Sequence, residues 1–200
     1  MPSEWAAQLR PGGVLVTPWG SGLYNGVLLR LTGRGDGTAA GPVIGDSAFM
    51  WDRAQAPAAE VMDVVGDGTP TAVDRTGLDP RSVLGIEDAA FALGLLVPGA
   101  RYSVGHGSGG EFTLWLADAA TGSWASVDFA PHEAQFDVEQ HGPRMLWREV
   151  EAAHKWWVRA GRPERTRFGV TVEPGGSRVW LDGPARPVPA LAQAAQARIP

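Results

Sequence analysis

Cysteine is absent from the 200 residues. That excludes disulfides, thiolate metal sites and cysteine nucleophiles. Lysine is nearly absent: of seventeen Lys and Arg, one is Lys, at Lys155. No stretch concentrates positive charge, and the net charge is −5, so a nucleic-acid surface is not expected. No apolar run approaches the length of a membrane span, and no charged-then-apolar leader precedes a small-residue cleavage site. The expected location is the cytoplasm. His106, His132, His141 and His154 never fall three or four apart on one helix, so no metal site is expected.

What is present is an ordinary globular composition, 44% hydrophobic, with 27 Gly, 16 Pro and nine Trp. Such a chain can bury a core. Trp5, Trp19, Trp51, Trp115, Trp124, Trp147, Trp156, Trp157 and Trp180 offer large contact areas. Core or interface anchors are the expected use, and an aromatic surface for a peptide or carbohydrate is the alternative.

The chain opens with EWAAQLRPGGVLVTPWG, residues 4–20. Ser3 can cap a helix that places Trp5, Ala6 and Leu9 on one apolar stripe and ends at Pro11. Gly12-Gly13 turns the chain into the continuous apolar run Val14-Leu15-Val16, expected to be a strand covered on both faces. Helix, turn and buried strand form the end of a βαβ crossover. Its earlier parallel strand is expected to be missing, because only Met1-Pro2-Ser3 precede the helix. The loop Thr17–Gly22 then lies at the strand's carboxyl end, the edge that carries ligands in open α/β sheets. The alternative for it is a structural turn. Val27–Thr32 is a second strand, GRGDG a turn, and Val43–Trp51 a third, antiparallel strand.

Residues 54–80 read as a linker in which Val61–Val65 docks as an edge strand. Beyond it, Asp79-Pro80 caps a short helix, Arg81–Leu84, and Glu87–Leu96 is a second helix. Strands are expected at Tyr102–Val104, Glu111–Ala117, Ser123–Phe129 and Phe136–Gln140. Arg144–Ala160 is the longest helix, with Leu146, Val150, Ala153 and Trp157 on its apolar face and Glu151 paired with Lys155. Phe168–Val172 and Arg178–Leu181 form a last hairpin. This second region reads as an antiparallel sheet with helices on one side.

Gly105-His106-Gly107-Ser108-Gly109-Gly110 fits G-x-G-x-x-G, but a strand follows where a phosphate loop needs a helix, so it reads as a hairpin loop. His154 reads as a core or rim histidine. No Gly-x-Ser-x-Gly elbow is present. Gln140–Arg144, leading into Trp147, Trp156 and Trp157, reads as a helix start packed on the sheet, with a peptide-recognition surface as the alternative.

Leu9-Arg10-Pro11-Gly12-Gly13-Val14-Leu15-Val16 resembles the L-[KR]-P-G-G-x-L-V segment of class I S-adenosylmethionine-dependent methyltransferases. Together with Pro2–Trp5 and Thr17–Gly20, it is most similar to the protein-L-isoaspartate O-methyltransferase family. The stretches YNGVLLRL, GEFTLWLADAATGSWASVDF, EQHGPRMLWREVEAAHKWW and RVWLD resemble actinobacterial members with an extra C-terminal domain. Some of these are encoded with lanthipeptide-type biosynthesis genes and methylate an aspartate of the peptide.

The resemblance implies an α/β remnant, the last strands of the methyltransferase sheet, over residues 1–53. The composition and pattern give a linker at 54–80, an α+β domain with an antiparallel sheet at 81–183, and a flexible tail at 184–200. The family's glycine-rich cofactor loop has no counterpart here, so no catalytic or cofactor-binding residue is assigned. Thr17, Trp19, Tyr24 and Asn25 are implied on the substrate-side rim. The implied function is that of a truncated C-terminal fragment of a carboxyl O-methyltransferase, inactive alone. Its whole form would use S-adenosylmethionine on a protein or peptide carrying aspartate or isoaspartate, with the missing N-terminal half as a partner. The alternative is a non-catalytic Trp-rich module that binds a peptide or partner. Residues 78–183 are expected to fold alone.

Overall fold

The computed structural model describes residues 3–48 and 59–189. They form an α and β protein with two five-stranded antiparallel sheets. The chain divides into two compact units. One is residues 1–20, 25–50 and 163–190; the other is residues 21–24, 51–162 and 191–200.

In the first unit, α1 (Ser3–Ala7) leads to β1 (Val14–Trp19), β2 (Val27–Gly33) and β3 (Ala39–Asp46). The late hairpin β9 (Phe168–Glu173) and β10 (Gly176–Leu181) completes the sheet, in the order β1-β2-β3-β9-β10. Residues opposite each other in antiparallel strands share a face. The register therefore puts Val27, Leu29, Leu31, Val43, Phe168, Val170, Val172 and Leu181 on one buried face. Ala6 of α1 is buried, whereas Trp5 is exposed, so the expected Trp5-Ala6-Leu9 stripe does not form. On the opposite face, Trp180 lies over Gly169 and donates its indole N–H to Thr171 Oγ1 at 3.2 Å.

Two expectations fail at β1 and β9. Among the described residues, Val14-Leu15-Val16 is an edge strand, paired on one side only and antiparallel, with Val14 46% and Val16 51% exposed. It is not covered on both faces. The hairpin β9–β10, placed by the sequence in the 81–183 domain, pairs with β3 instead. Segment 78–183 therefore carries two strands whose neighbour lies outside it. The third strand starts earlier than expected and ends at Asp46; its expected residues 49–51 lie outside the described residues, as does most of the expected tail.

The second unit holds α2 (Val61–Val65), β4 (Ala72–Thr76), α3 (Arg81–Leu84) and α4 (Glu87–Leu96). Strands β5 (Arg101–His106), β6 (Phe112–Asp118), β7 (Ser123–Phe129) and β8 (Phe136–His141) follow, then α5 (Leu146–Arg159). The sheet order is β4-β8-β7-β6-β5, a meander with β4 added beside β8. Helices α4 and α5 pack together, and α5 packs on β6, β7 and β8. Its expected face of Leu146, Val150, Ala153 and Trp157 is buried.

The expected linker is more structured than it reads. Val61–Val65 is a helix, not an edge strand, because Glu60 and Asp63 cap it reciprocally. It covers Ala117, Trp115 and Trp124, so helices lie on both faces of this sheet. Residues 72–76, unassigned in the sequence, form β4. Glu151 does not take Lys155 as its noted partner; it accepts the Thr76 hydroxyl at 2.6 Å.

Candidate functional site

The four residues implied on the substrate rim divide between the two units. Thr17 and Trp19 alternate with Pro18 at the end of β1, so both side chains take the face opposite Val14 and Val16. Thr17 is 5% exposed, and its hydroxyl donates to the Pro18 carbonyl at 3.3 Å. Trp19 is half-buried, and Asn25 is exposed just before β2.

Tyr24 belongs to the second unit, where its ring meets Phe91 of α4 edge-on, with centroids 5.9 Å apart. The turn at 21–24 is a built structure. Ser21 Oγ accepts the backbone N–H groups of Leu23 and Tyr24, both at 3.2 Å, and the Ser21 N–H returns to the Tyr24 carbonyl at 2.9 Å. It lies so close to α4 that a Cβ on Gly94 would sit 1.9 Å from Ser21 Oγ. The second half of the Thr17–Gly22 corner is therefore a packed structural turn.

Chemistry-bearing residues elsewhere are mostly committed to structure. The loop GHGSGG closes the β5–β6 hairpin, with the Gly107 N–H on the Glu111 carbonyl at 2.9 Å, and a strand follows it as expected. His141 stacks on Trp124, and its Nδ1 lies 2.9 Å from the Thr69 carbonyl oxygen. His154 leans on Trp157, with ring centroids 5.8 Å apart. Burial, and then the charge of Arg162, lower its pKa below the ordinary imidazole value. No group of three or more His, Asp or Glu among the described residues could hold a metal ion. Trp124, Trp147, Trp157 and Trp180 are core residues, which removes four side chains from any aromatic binding surface.

Sequence reasoning missed the most buried charged cluster. Arg144, just before α5, donates from Nη1 to Asp118 Oδ2 and to the Pro98 carbonyl, both at 2.9 Å, and grips Glu149 with its other two nitrogens. Burial would raise the Asp118 carboxyl. Hydrogen bonds from Thr121, Arg144 and the Ala120 N–H, with the charge of Arg144, outweigh it and hold Asp118 below its ordinary value. Every arm of Arg144 is occupied, so the cluster fixes the β6–β7 turn to the start of α5. The signal available was weak: Asp118 and Arg144 are 26 residues apart and in no spaced pattern.

Among the described residues, the feature that stands open is the outer border of β1. The Gly33 N–H bonds to the Gly13 carbonyl at 2.8 Å. The alternation of an antiparallel ladder then turns the backbone groups of Leu15, Thr17 and Trp19 toward β2, and those of Val14, Val16 and Pro18 outward. Beside this edge, the outer face presents Val14, Val16 and Ile44, each close to half exposed. No helix among the described residues is long and apolar enough to cross a membrane. Comparison with protein-family models, with curated proteins and with solved structures finds no match for this chain.

Proposed function

We propose that this chain is the C-terminal part of an S-adenosylmethionine-dependent carboxyl O-methyltransferase of the isoaspartate type. The observation that carries the reading is the open border of β1. The segment that resembles the methyltransferase family, LRPGGVLV, follows a short helix and forms a turn and the start of a strand. Among the described residues, that strand leaves one edge unpaired and its outer valines exposed. A further strand and the helices flanking it would satisfy the edge and bury the valines. The family holds its cofactor in that further part, and these 200 residues contain no counterpart of it.

In the assembled enzyme, S-adenosylmethionine held by that further part would supply its methyl group to a carboxylate oxygen of the peptide, giving a methyl ester and S-adenosylhomocysteine. The cofactor carries the leaving group, so the protein's share is positioning and desolvation. In this reading Trp19 and Asn25, at and beyond the end of β1, would border the peptide, with Thr17 buried on the same face of β1 as Trp19.

The test begins with the DNA upstream of the start codon. An in-frame segment with a glycine-rich loop is expected there or in an adjacent gene. Co-expressed with this chain, it should transfer labelled methyl groups to an isoaspartyl or aspartyl peptide, while the chain alone does not. Absence of such a segment, or micromolar binding of S-adenosylmethionine by the chain alone in calorimetry, overturns the reading.

A further inference from the structure

Sheet edges invite pairing with other chains, and proteins blunt them with charge, proline or cover. Four strands border the two sheets: β1, β10, β4 and β5. β10 carries Arg178, and its outer side is bridged by Pro187 opposite Trp180, with the Val188 N–H on the Val179 carbonyl at 2.9 Å. β4 carries Asp74 and Arg75. β5 carries Arg101. Among the described residues, β1, VLVTPW, is the one border strand with no ionisable side chain.

We infer that β1 pairs with β1 of a second copy of this chain, antiparallel about a two-fold axis at Leu15. The free groups of the edge are self-complementary. Val14 and Val16 each turn an N–H and a C=O outward. With Val14 opposite Val16 of the other copy, all eight groups find partners in four hydrogen bonds.

The neighbouring registers do worse. A shift one way puts Val14 opposite Pro18, which has no N–H to give. A shift the other way puts Val16 opposite Gly12, whose N–H is already held by the Gly33 carbonyl at 2.9 Å. A slip of one residue sets the exposed face of one copy beside the covered face of the other. The favoured register also makes two cross-strand Val–Val pairs. This is the edge that the methyltransferase reading assigns to the missing half, so copy and missing half exclude each other there.

The absence of cysteine makes the test clean. Light scattering after gel filtration should give a concentration-dependent mass rising to twice that of the chain. Val16→Lys should give a monomer with an unchanged circular-dichroism spectrum. In the favoured register Leu15 faces Leu15 across the axis in a non-hydrogen-bonded pair. There the Cα atoms lie about 4.5 Å apart, within disulfide reach. Leu15→Cys should therefore form a covalent dimer on mild oxidation, far faster than Arg178→Cys on β10. A wild-type chain that stays monomeric at its highest attainable concentration overturns the inference. So does a Leu15→Cys chain that cross-links no faster than the Arg178→Cys control.

Discussion

Arg144 Nη1 lies 2.9 Å from Asp118 Oδ2, with both side chains largely removed from water. The carboxyl's pKa is depressed in the folded state. Its contribution is therefore present above the unfolded value of about 3.9 and is lost as pH falls through the lower folded value. Asp118→Asn should destabilise the protein at neutral pH by about 3 kcal/mol, because it strips one partner from a buried cation. The gap between wild type and variant should shrink below pH ~4. Urea unfolding across the acid range checks both the size and the sign.

Gly169 of β9 lies beneath the indole of Trp180, and a Cβ there would sit 2.1 Å from Cη2. A ring of that size cannot move aside without losing its bond to Thr171 and its cover over the strand. Gly169→Ala is expected to cost about 1–3 kcal/mol by overpacking. Trp180→Leu should relieve the clash, so the double variant should be less unstable than the two single losses combined. Thermal and urea unfolding of the four proteins close the cycle.

These pairs show why local elements were readable and partners were not. Phe112, Leu114 and Leu116 alternate, and the β6–β7 hairpin follows from that period and a polar turn. Glu87–Leu96 begins and ends where its acidic start and Pro98 place it. Pairing between distant strands leaves no such mark. Nothing in FGVTVE says that its neighbour is AAGP, more than a hundred residues earlier. Val61–Val65 reads as strand by its β-branched valines, yet two carboxylates at its start decide for helix. At the candidate site, the end of β1 was legible as a strand terminus. Which face Thr17 takes was not, because a strand assumed covered on both faces has no inner side to choose.

α5 begins without a side-chain cap from its own N-terminal residue, Met145. Gln140, buried on β8, fills that role from a neighbouring strand: its Oε1 accepts the Trp147 N–H at 2.8 Å. Gln140→Met keeps the length and removes the acceptor. It should cost about 1–2 kcal/mol, as loss of a helix cap does, with the N–H also left buried. Gln140→Glu retains an acceptor and should lose less at neutral pH. Amide exchange at Trp147 should accelerate in the Met variant before exchange in the middle of α5.

His154 sits half-buried against Trp157 and near the positive charge of Arg162. Both disfavour the imidazolium in the folded state, so the folded pKa lies below the unfolded value of about 6.5. Between those two values the unfolded chain binds more protons, so stability falls as pH falls through the window. Above the unfolded value the imidazole is neutral in both states and the penalty vanishes. His154→Gln keeps a polar side chain that cannot charge. It should leave stability at pH ~8 nearly unchanged and flatten the decline below about pH 6.5. A parallel decline in both proteins would show that His154 does not set the acid sensitivity of that window. NMR titration of the His154 ring gives the folded pKa directly.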